Sequence, residues 1–419
     1  MSNATSARSD KHLVVIGAGA AGMFCAVNAA RMDPGLRVTV LERGNKPLAK
    51  VKVSGGGRCN VTHDCPDVST LITKYPRGRH FLRKAFQHFS CPDTVNWFTE
   101  RGVAIKTESD GRMFPVTDDS QEIIDCLFRE LNRFHVALVM QADVVDVLHT
   151  PGPSDAVFTI KAADGRSWTA THLLLATGGL GRSPLPAWLT NMGHSIVAPV
   201  PSLFTFNLPR HPITALMGIS VPAEVSIKAL KLKDSGPLLI THWGLSGPVV
   251  LRLSAWAARE LHEREYRFDL TVNFLPGRHE TAILDALKGF RHSDGAKTIA
   301  AHDPFGLPSR LWAFLLHGCG IVEADRWNTV TNDKLNRLAG ALCGYRLQAE
   351  GKTTFKEEFV TAGGIALPEV DPQTFQSKRV PRLYFAGEVL DIDGITGGFN
   401  FQNAWTGGWL VARDVAGAH

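Results

Sequence analysis

Apolar residues fall in dense, short runs near both ends of the chain and in broken, alternating runs through its middle. Leu13–Ile16 is an unbroken apolar run, and small and apolar residues follow it at helical spacing as far as Ala30. A second run, Arg37–Leu41, predicts another buried strand. Phe81–Phe89 and Pro92–Arg101 predict helices. In Glu122–Phe134, Ile123, Leu127, Leu131 and Phe134 share one face, which predicts an amphipathic helix. Val136–Met140, Val144–Leu148 and Ala156–Ala162 predict strands, the last closing on an Asp164-Gly165 turn. His172–Ala176 reads as a buried strand ending in Thr177-Gly178-Gly179.

The texture then changes. Pro199, Pro201, Pro209, Pro212 and Pro222 cut the chain into short pieces, and Ala223–Ile227, Leu238–Thr241 and Phe268–Val272 alternate as antiparallel strands do. Thr281–Arg291, Pro308–Gly318 and Asn332–Cys343 predict helices. Near the C-terminus the first texture returns, with a strand at Arg382–Ala386, then Gly387-Glu388, then a helix from about Phe401. The pattern predicts an α/β domain split by an insert.

Composition narrows the class. The chain has 419 residues, 44% hydrophobic and 20% charged, with a net charge of +5. That suits a soluble globular protein of two or three domains, with no Lys/Arg block resembling a nucleic-acid arm. Seven cysteines are scattered without a CxxC pair, which points to reduced thiols and a cytoplasmic location. The uncharged run Leu13–Ala30 has the length of a signal or membrane segment. Three glycines at fixed spacing, Asn28 within the run and a strand beyond it argue against both, so no membrane partner is expected.

Those glycines are Gly17, Gly19 and Gly22, in the string Gly17-Ala18-Gly19-Ala20-Ala21-Gly22 between strand and helix. The first permits a tight turn, the second lets backbone approach a pyrophosphate, and the third lets helix pack close to strand. The helix N-terminus receives the phosphates on free N–H groups at the positive end of its dipole. Glu42, with Arg43 after it, ends the second strand twenty residues beyond Gly22, where a carboxylate can accept hydrogen bonds from a ribose.

The cofactor is read as FAD from the other end of the chain. Gly387-Glu388 ends a strand, and Asp391 through Gly397-Gly398-Phe399-Asn400 opens a helix. Glu388 would hold ribityl hydroxyls. The helix N-terminus would face the electron-rich edge of a flavin and stabilise negative charge there. Ala176-Thr177-Gly178 at its strand end fits the same layout. Ser54-Gly55-Gly56-Gly57-Arg58-Cys59-Asn60 reads either as a flexible turn or as a backbone nest around the pyrophosphate and flavin, with Arg58 at phosphate and Asn60 at a ring edge. There is no second GxGxxG, so NAD(P)H, if it serves as reductant, would share a transient site over the flavin. No metal site is expected. Candidates for proton transfer are His63, His242 and Cys59, none placed with a partner that marks a catalytic base. Cys59 and Cys65 are spaced C-x5-C without an acid–histidine pair near the C-terminus, so Cys59 reads as a packing residue beside the flavin.

The motifs IGAGAAGM (16–23), KVSGGGRCNVTH (52–63), GRMFPV (111–116), LLLATGG (173–179), LLITHWGLSGP (238–248), FVTAGGIALPEVDP (359–372) and LYFAGEVLDIDGITGGFNFQNAWTGG (383–408) span nearly the whole chain. With them the chain resembles the flavoprotein family of BaiN-type bile-acid-pathway reductases and aminoacetone oxidase-like proteins. The resemblance implies a split Rossmann-type FAD-binding domain of the two-dinucleotide-fold type (1–194 with 355–419). It also implies an inserted β-barrel-like domain (195–275 with about 344–354) and a small helical domain (276–343). The insert is expected to cover the flavin and to bring Thr241–Ser246 to the substrate. The segment Leu180–Trp188 departs from the family pattern, being shorter and lacking the usual acid.

The expectation is therefore an FAD-dependent oxidoreductase acting on a small organic substrate. The FAD is non-covalent, hydride moves at flavin N5, and NAD(P)H is a candidate reductant. The alternatives are a tRNA-modifying flavoprotein and a non-catalytic flavin-binding sensor or scaffold. Mild charge and the lack of a basic, aromatic-interleaved stretch argue against nucleic acid.

Overall fold

The computed structural model describes residues 11–151, 157–182, 187–353 and 360–418. Ser183–Pro186, within the segment that departs from the family pattern, lie outside the described residues, as do Ala156, Phe359 and the first ten residues. The chain divides into two compact units, one within Met1–Pro201 and Lys356–His419, the other within Ser202–Phe355.

The first unit is built on a five-stranded sheet. Its strands are β1 (His12–Ile16), β2 (Arg37–Leu41), β3 (Ala137–Val139), β4 (His172–Leu175) and β5 (Leu383–Phe385), in the order 5-4-1-2-3. All neighbours run parallel. β1 and β4 are buried at every position, which is why they read as continuous apolar runs rather than alternating ones. The chain builds outward from β1 through β2 to β3, then returns to the other side of β1 for β4. In such sheets the crevice at the strand ends beside that reversal is where ligands bind. Here it lies between Gly17 after β1 and Ala176 after β4.

Two helices frame the crevice: α1 (Ala20–Met32) follows β1, and α2 (Phe399–Ala416) is the last element of the chain. They lie against one another through small residues. A Cβ on Gly408 of α2 would stand 2.6 Å from the Ala21 carbonyl oxygen, so only glycine lets the two backbones touch. Ile196–Ser202 and Val360–Ile365 form a two-stranded ladder where the chain leaves and rejoins this unit.

The second unit is a seven-stranded antiparallel sheet with helices Glu280–Ser293, Ser309–Gly318 and Asn332–Gly344 contributing to its core. Its outermost strands, Tyr345–Glu350 and Lys352–Thr353, are separated by Gly351 alone, so the chain itself brings the two edges of the sheet together.

The alternating runs of the middle region are strands as expected, though longer: Ser220–Ile227, Leu232–Ile240 and Arg267–Asn273. Among the described residues five helices lie outside those the pattern predicts: Ala49–Gly57, Pro248–Trp256, Ala258–Glu263 and the short Val68–Leu71 and Ala187–Asn191. In the second of these, the apolar run after Pro248 does not distinguish helix from strand by period alone.

Candidate functional site

Gly17 turns the chain out of β1 at φ +108°, with its N–H donated to the Leu41 carbonyl at 2.8 Å. A Cβ there would lie 2.4 Å from the Ala176 oxygen, and one on Gly22 would lie 2.0 Å from the Gly17 oxygen. Both glycines are therefore fixed by main chain on main chain. Gly19 differs: nothing lies within 4 Å of where its Cβ would be. The first bond inside α1 runs from Met23 N–H to Gly19 O at 3.0 Å. The amides of Ala20, Ala21 and Gly22 therefore have no acceptor within the helix. Open space beside unpaired helical amides is the cradle a pyrophosphate requires.

Glu42 stands over this turn. One of its oxygens accepts from Ala18 N–H (2.9 Å) and the other from Gly44 N–H (2.8 Å). Arg43, next along the chain, is exposed.

The glycine-rich loop is neither a simple turn nor part of a regular helix. A helix begins at Ala49 and breaks at Ser54, and Gly55, Gly56 and Gly57 then take φ of +59°, +71° and +87° in succession. No atom lies within 4 Å of a Cβ placed on Gly56 or Gly57, so this loop also borders open space. The guanidinium of Arg58, expected at a phosphate, is engaged by Glu108 (2.6 Å) and Asp118 (3.4 Å) and lies over the Phe114 ring. Cys59 is fully buried, and burial pushes its thiol up to about 12 despite a hydrogen bond with Ser54. Burial also raises Cys65, and both thiols are free. Asn60, expected at a ring edge, instead bridges backbone. Its oxygen accepts from Gly398 N–H and its nitrogen donates to Thr62 O, each at 3.0 Å.

The third motif closes the same crevice. Glu388 accepts from Thr361 N–H (2.7 Å) and pairs with Lys50 Nζ (2.5 Å). It also lies beside the β4 end, since a Cβ on Gly179 would come within 2.8 Å of its carboxylate. Ala176 is buried, with its N–H donated to Ile16 O (2.9 Å), while Thr177 is exposed and Gly178 half-buried. In α2 the first internal bond runs from Gln402 N–H to Gly398 O (2.9 Å), which leaves the Phe399, Asn400 and Phe401 amides without intrahelical acceptors. The Asn400 side chain turns back and holds both the N–H and the C=O of Gly394. Gly387 packs close to Ala21 of α1, and the amide of Asp391 donates to Ile365 O (3.1 Å).

His63 belongs to this neighbourhood. Its Nδ1 donates to the Gly397 carbonyl (3.0 Å), and its ring lies 4.6 Å from that of Phe399. Burial, only partly offset by that carbonyl, lowers its pKa, so the imidazole is neutral at pH 7 with the proton on Nδ1. His242 belongs to the second unit, where it is exposed and packs on Trp243 at 3.7 Å. The first unit thus carries every sequence-selected residue except His242. Lys50 and Thr361, which orient Glu388, had no signal of their own in the sequence. Among the described residues no cluster of His, Cys, Asp or Glu could hold a metal ion.

The three motifs meet at one crevice of a parallel sheet, with two helix N-termini and two patches of open backbone. That set fits a long anionic dinucleotide such as FAD. The family model described as "HI0933-like protein Rossmann domain" matches residues 11–414. The chain belongs to the HI0933-like Rossmann-domain family. Its members are FAD-dependent oxidoreductases, which bears out the resemblance drawn from the motifs.

Within the family, the chain is 30% identical over 97% of its length to a ribosomal RNA dihydrouridine synthase of Escherichia coli, covering 98% of that protein. It is 29% identical over 96% of its length to a 3-dehydro-bile acid delta(4,6)-reductase of Clostridium scindens, again covering 98%. Among solved structures, the 3-ketosteroid delta1-dehydrogenase of Sterolibacterium denitrificans aligns with a TM-score of 0.51 at 12% identity, over 97% of this chain and 99% of that one. This last likeness is one of fold.

Proposed function

We propose that this HI0933-like protein is an FAD-dependent reductase of a carbon–carbon double bond conjugated to a carbonyl. The structural observation that carries the reading is the cradle at the switch point, where Gly19, Gly56 and Gly57 border open space beside the unpaired amides of α1. FAD, when bound, supplies the hydride. Gly17–Gly22 and the first turn of α1 hold the pyrophosphate and Glu42 the ribose. Glu388, oriented by Lys50 and Thr361, takes the ribityl chain. The amides of Phe399 and Asn400, without intrahelical acceptors, would hold the pyrimidine edge of the ring system and would favour negative charge there. His63, with its proton on Nδ1 and tied to Gly397, presents Nε2 as the group able to relay a proton. The FAD is held non-covalently, because Cys59 is buried as a neutral thiol. NAD(P)H is the proposed reductant, acting transiently over the flavin.

The double-bond assignment draws on the two relatives. Saturating uracil to dihydrouracil and reducing a 4,6-dienone both add hydrogen across C=C in conjugation with C=O. The expectation that excluded nucleic acid loses its ground, since ribosomal RNA stands in the names of two near-full-length relatives. A uridine of ribosomal RNA is therefore the first substrate to test, and the bile-acid reductase favours a small enone as the second. No described helix is long and apolar enough to cross a membrane, and all seven cysteines are free; we place the enzyme in the cytoplasm. The test is anaerobic. The holoprotein is reduced with NADH or NADPH, then mixed with unmodified ribosomal RNA or with a Δ4-3-ketosteroid. Reoxidation of the flavin together with a product heavier by two hydrogens identifies the substrate. A flavin that NAD(P)H reduces but neither acceptor reoxidises would sink the assignment.

A further inference from the structure

The segment Lys74–Arg77 runs along the loop that leads into α2 as a short antiparallel partner. The Lys74 carbonyl accepts from Ile395 N–H (2.9 Å), and Arg77 bridges Asp393 through the backbone. The Asp393 side chain is fully buried, and both of its oxygens are met by the guanidinium of Arg77, itself only 14% exposed. One residue pair away, the buried Tyr75 hydroxyl donates to the Phe399 carbonyl (2.7 Å), in the first turn of α2. The Asn400 side chain clamps Gly394 from the helix side. No step of the proposed reaction uses these groups. A carboxylate with no exposed surface is costly to bury, and removing one partner of such a pair is strongly destabilising. A fork-on-fork contact is also directional, since a planar guanidinium fixes the orientation of the carboxylate it holds.

We propose that Arg77, Asp393 and Tyr75 are positioning residues that set the aim of the α2 N-terminus and thereby the reduction potential of the flavin. The inference rests on the FAD reading above. The brace grips the loop at Asp393, two residues after Asp391 and four before Gly397, and again at the Phe399 carbonyl. The amides of Phe399 and Asn400 are thus held from the side facing Lys74–Arg77. Correctly aimed, they stabilise the charge that the ring gains on reduction. Allowed to wander, they stabilise it less, and the oxidised form gains ground.

The test measures the flavin itself. Replacing both members of the pair, Arg77→Gln with Asp393→Asn, removes the fork without altering net charge, and the uncharged Tyr75→Phe change separates lost aim from lost charge. Tyr75→Phe removes a single hydroxyl and leaves the ion pair in place, which keeps the idea testable if the double variant does not fold. Midpoint potential, visible spectrum and FAD content are compared with wild type, alongside thermal stability. The expected result is near-stoichiometric FAD with a reduction equilibrium at least tenfold less favourable in the double variant, a shift of about 30 mV to the negative for two electrons. Tyr75→Phe moves the same way by less, and Arg77→Lys restores part of the shift seen in an Arg77→Gln single variant. A lower melting temperature with unchanged potential and spectrum in every folded variant would show the brace to be structural only and overturn the inference. Wild-type protein that neither retains nor rebinds FAD would overturn the parent reading and this one with it.

Discussion

The two glycines of the first turn that face in opposite directions should fail in opposite ways. A Cβ on Gly22 would sit 2.0 Å from the Gly17 carbonyl oxygen, against the roughly 3.5–4 Å of an ordinary contact. Relief requires α1 to move by about 1.5 Å from the turn that feeds it. The nearest obstacle is backbone, with the Val15 side chain next at 3.0 Å, and α1 is pinned on its other side by α2, so the main-chain clash cannot be relieved by a side chain swinging away. Overpacking of this kind costs about 1–3 kcal/mol, and Gly22→Ala belongs at the upper end. Gly19 has no atom within 4 Å of its Cβ position and no positive φ, so Gly19→Val should alter the stability of the apoprotein by no more than about 0.5 kcal/mol. Its isopropyl group nevertheless occupies the space assigned to pyrophosphate, so FAD should be lost almost completely. The assay is urea unfolding of both variants after FAD removal, since bound ligand would add its own stability, followed by FAD titration. A Gly19→Val protein that holds FAD as wild type does would refute the placement of the phosphates. One as unstable as Gly22→Ala would refute the claim that the space is open.

Glu42→Ala should weaken FAD binding by roughly ten- to hundredfold, the worth of a charge-assisted hydrogen bond; it should also lower stability, because the Ala18 and Gly44 amides lose their acceptor, and an unchanged FAD titration would dismiss the ribose role. Acid precipitation should release intact FAD into the supernatant, whereas flavin in the pellet would contradict non-covalent binding. His12 and His172 are held near a pKa of about 4, chiefly by burial and then by Arg37 and Arg382 respectively. Both are neutral in the fold, so their contribution is complete above the unfolded value of about 6.5 and is lost as pH falls from there toward 4, by about 2 kcal/mol each at pH 5; urea midpoints that do not drop between about pH 7.5 and 5, or that drop equally in a His12→Gln/His172→Gln variant, would contradict this.

The nucleotide-binding half was legible because its constraints are local. A turn needing positive φ, a helix packed on the turn's own carbonyl, and strands buried on both faces each leave a mark within a few residues. The glycines, Glu42 and Glu388 all stand at the crevice for that reason. What the sequence did not show were partnerships across distance. Arg58 looked like a phosphate ligand because nothing nearby in sequence claimed it, yet Glu108 and Asp118 do. Asn60 looked free and is shared between Thr62 and Gly398. Lys50 and Arg77 are ordinary surface-like residues in the sequence, and only the fold brings them to carboxylates more than three hundred positions away. Pro248–Trp256 is not legible as a helix even with Pro248 at its start, because the apolar run that follows fits a strand equally well.

The packing of α1 against α2 joins helices separated by more than three hundred residues. During synthesis, Leu13–Ala30 is made more than three hundred residues before α2, which covers one side of α1. β5, the edge of the parallel sheet, is equally late. The nascent chain must therefore carry an exposed apolar hairpin of β1 and α1 through the synthesis of more than three hundred residues, in a topology that closes only by long-range contacts and so folds slowly. A frameshift or stop just ahead of α2 would leave α1 without that wall. Such a chain is a client for chaperones that shield apolar surface, and its truncated forms should be found in aggregates rather than as partly active enzyme.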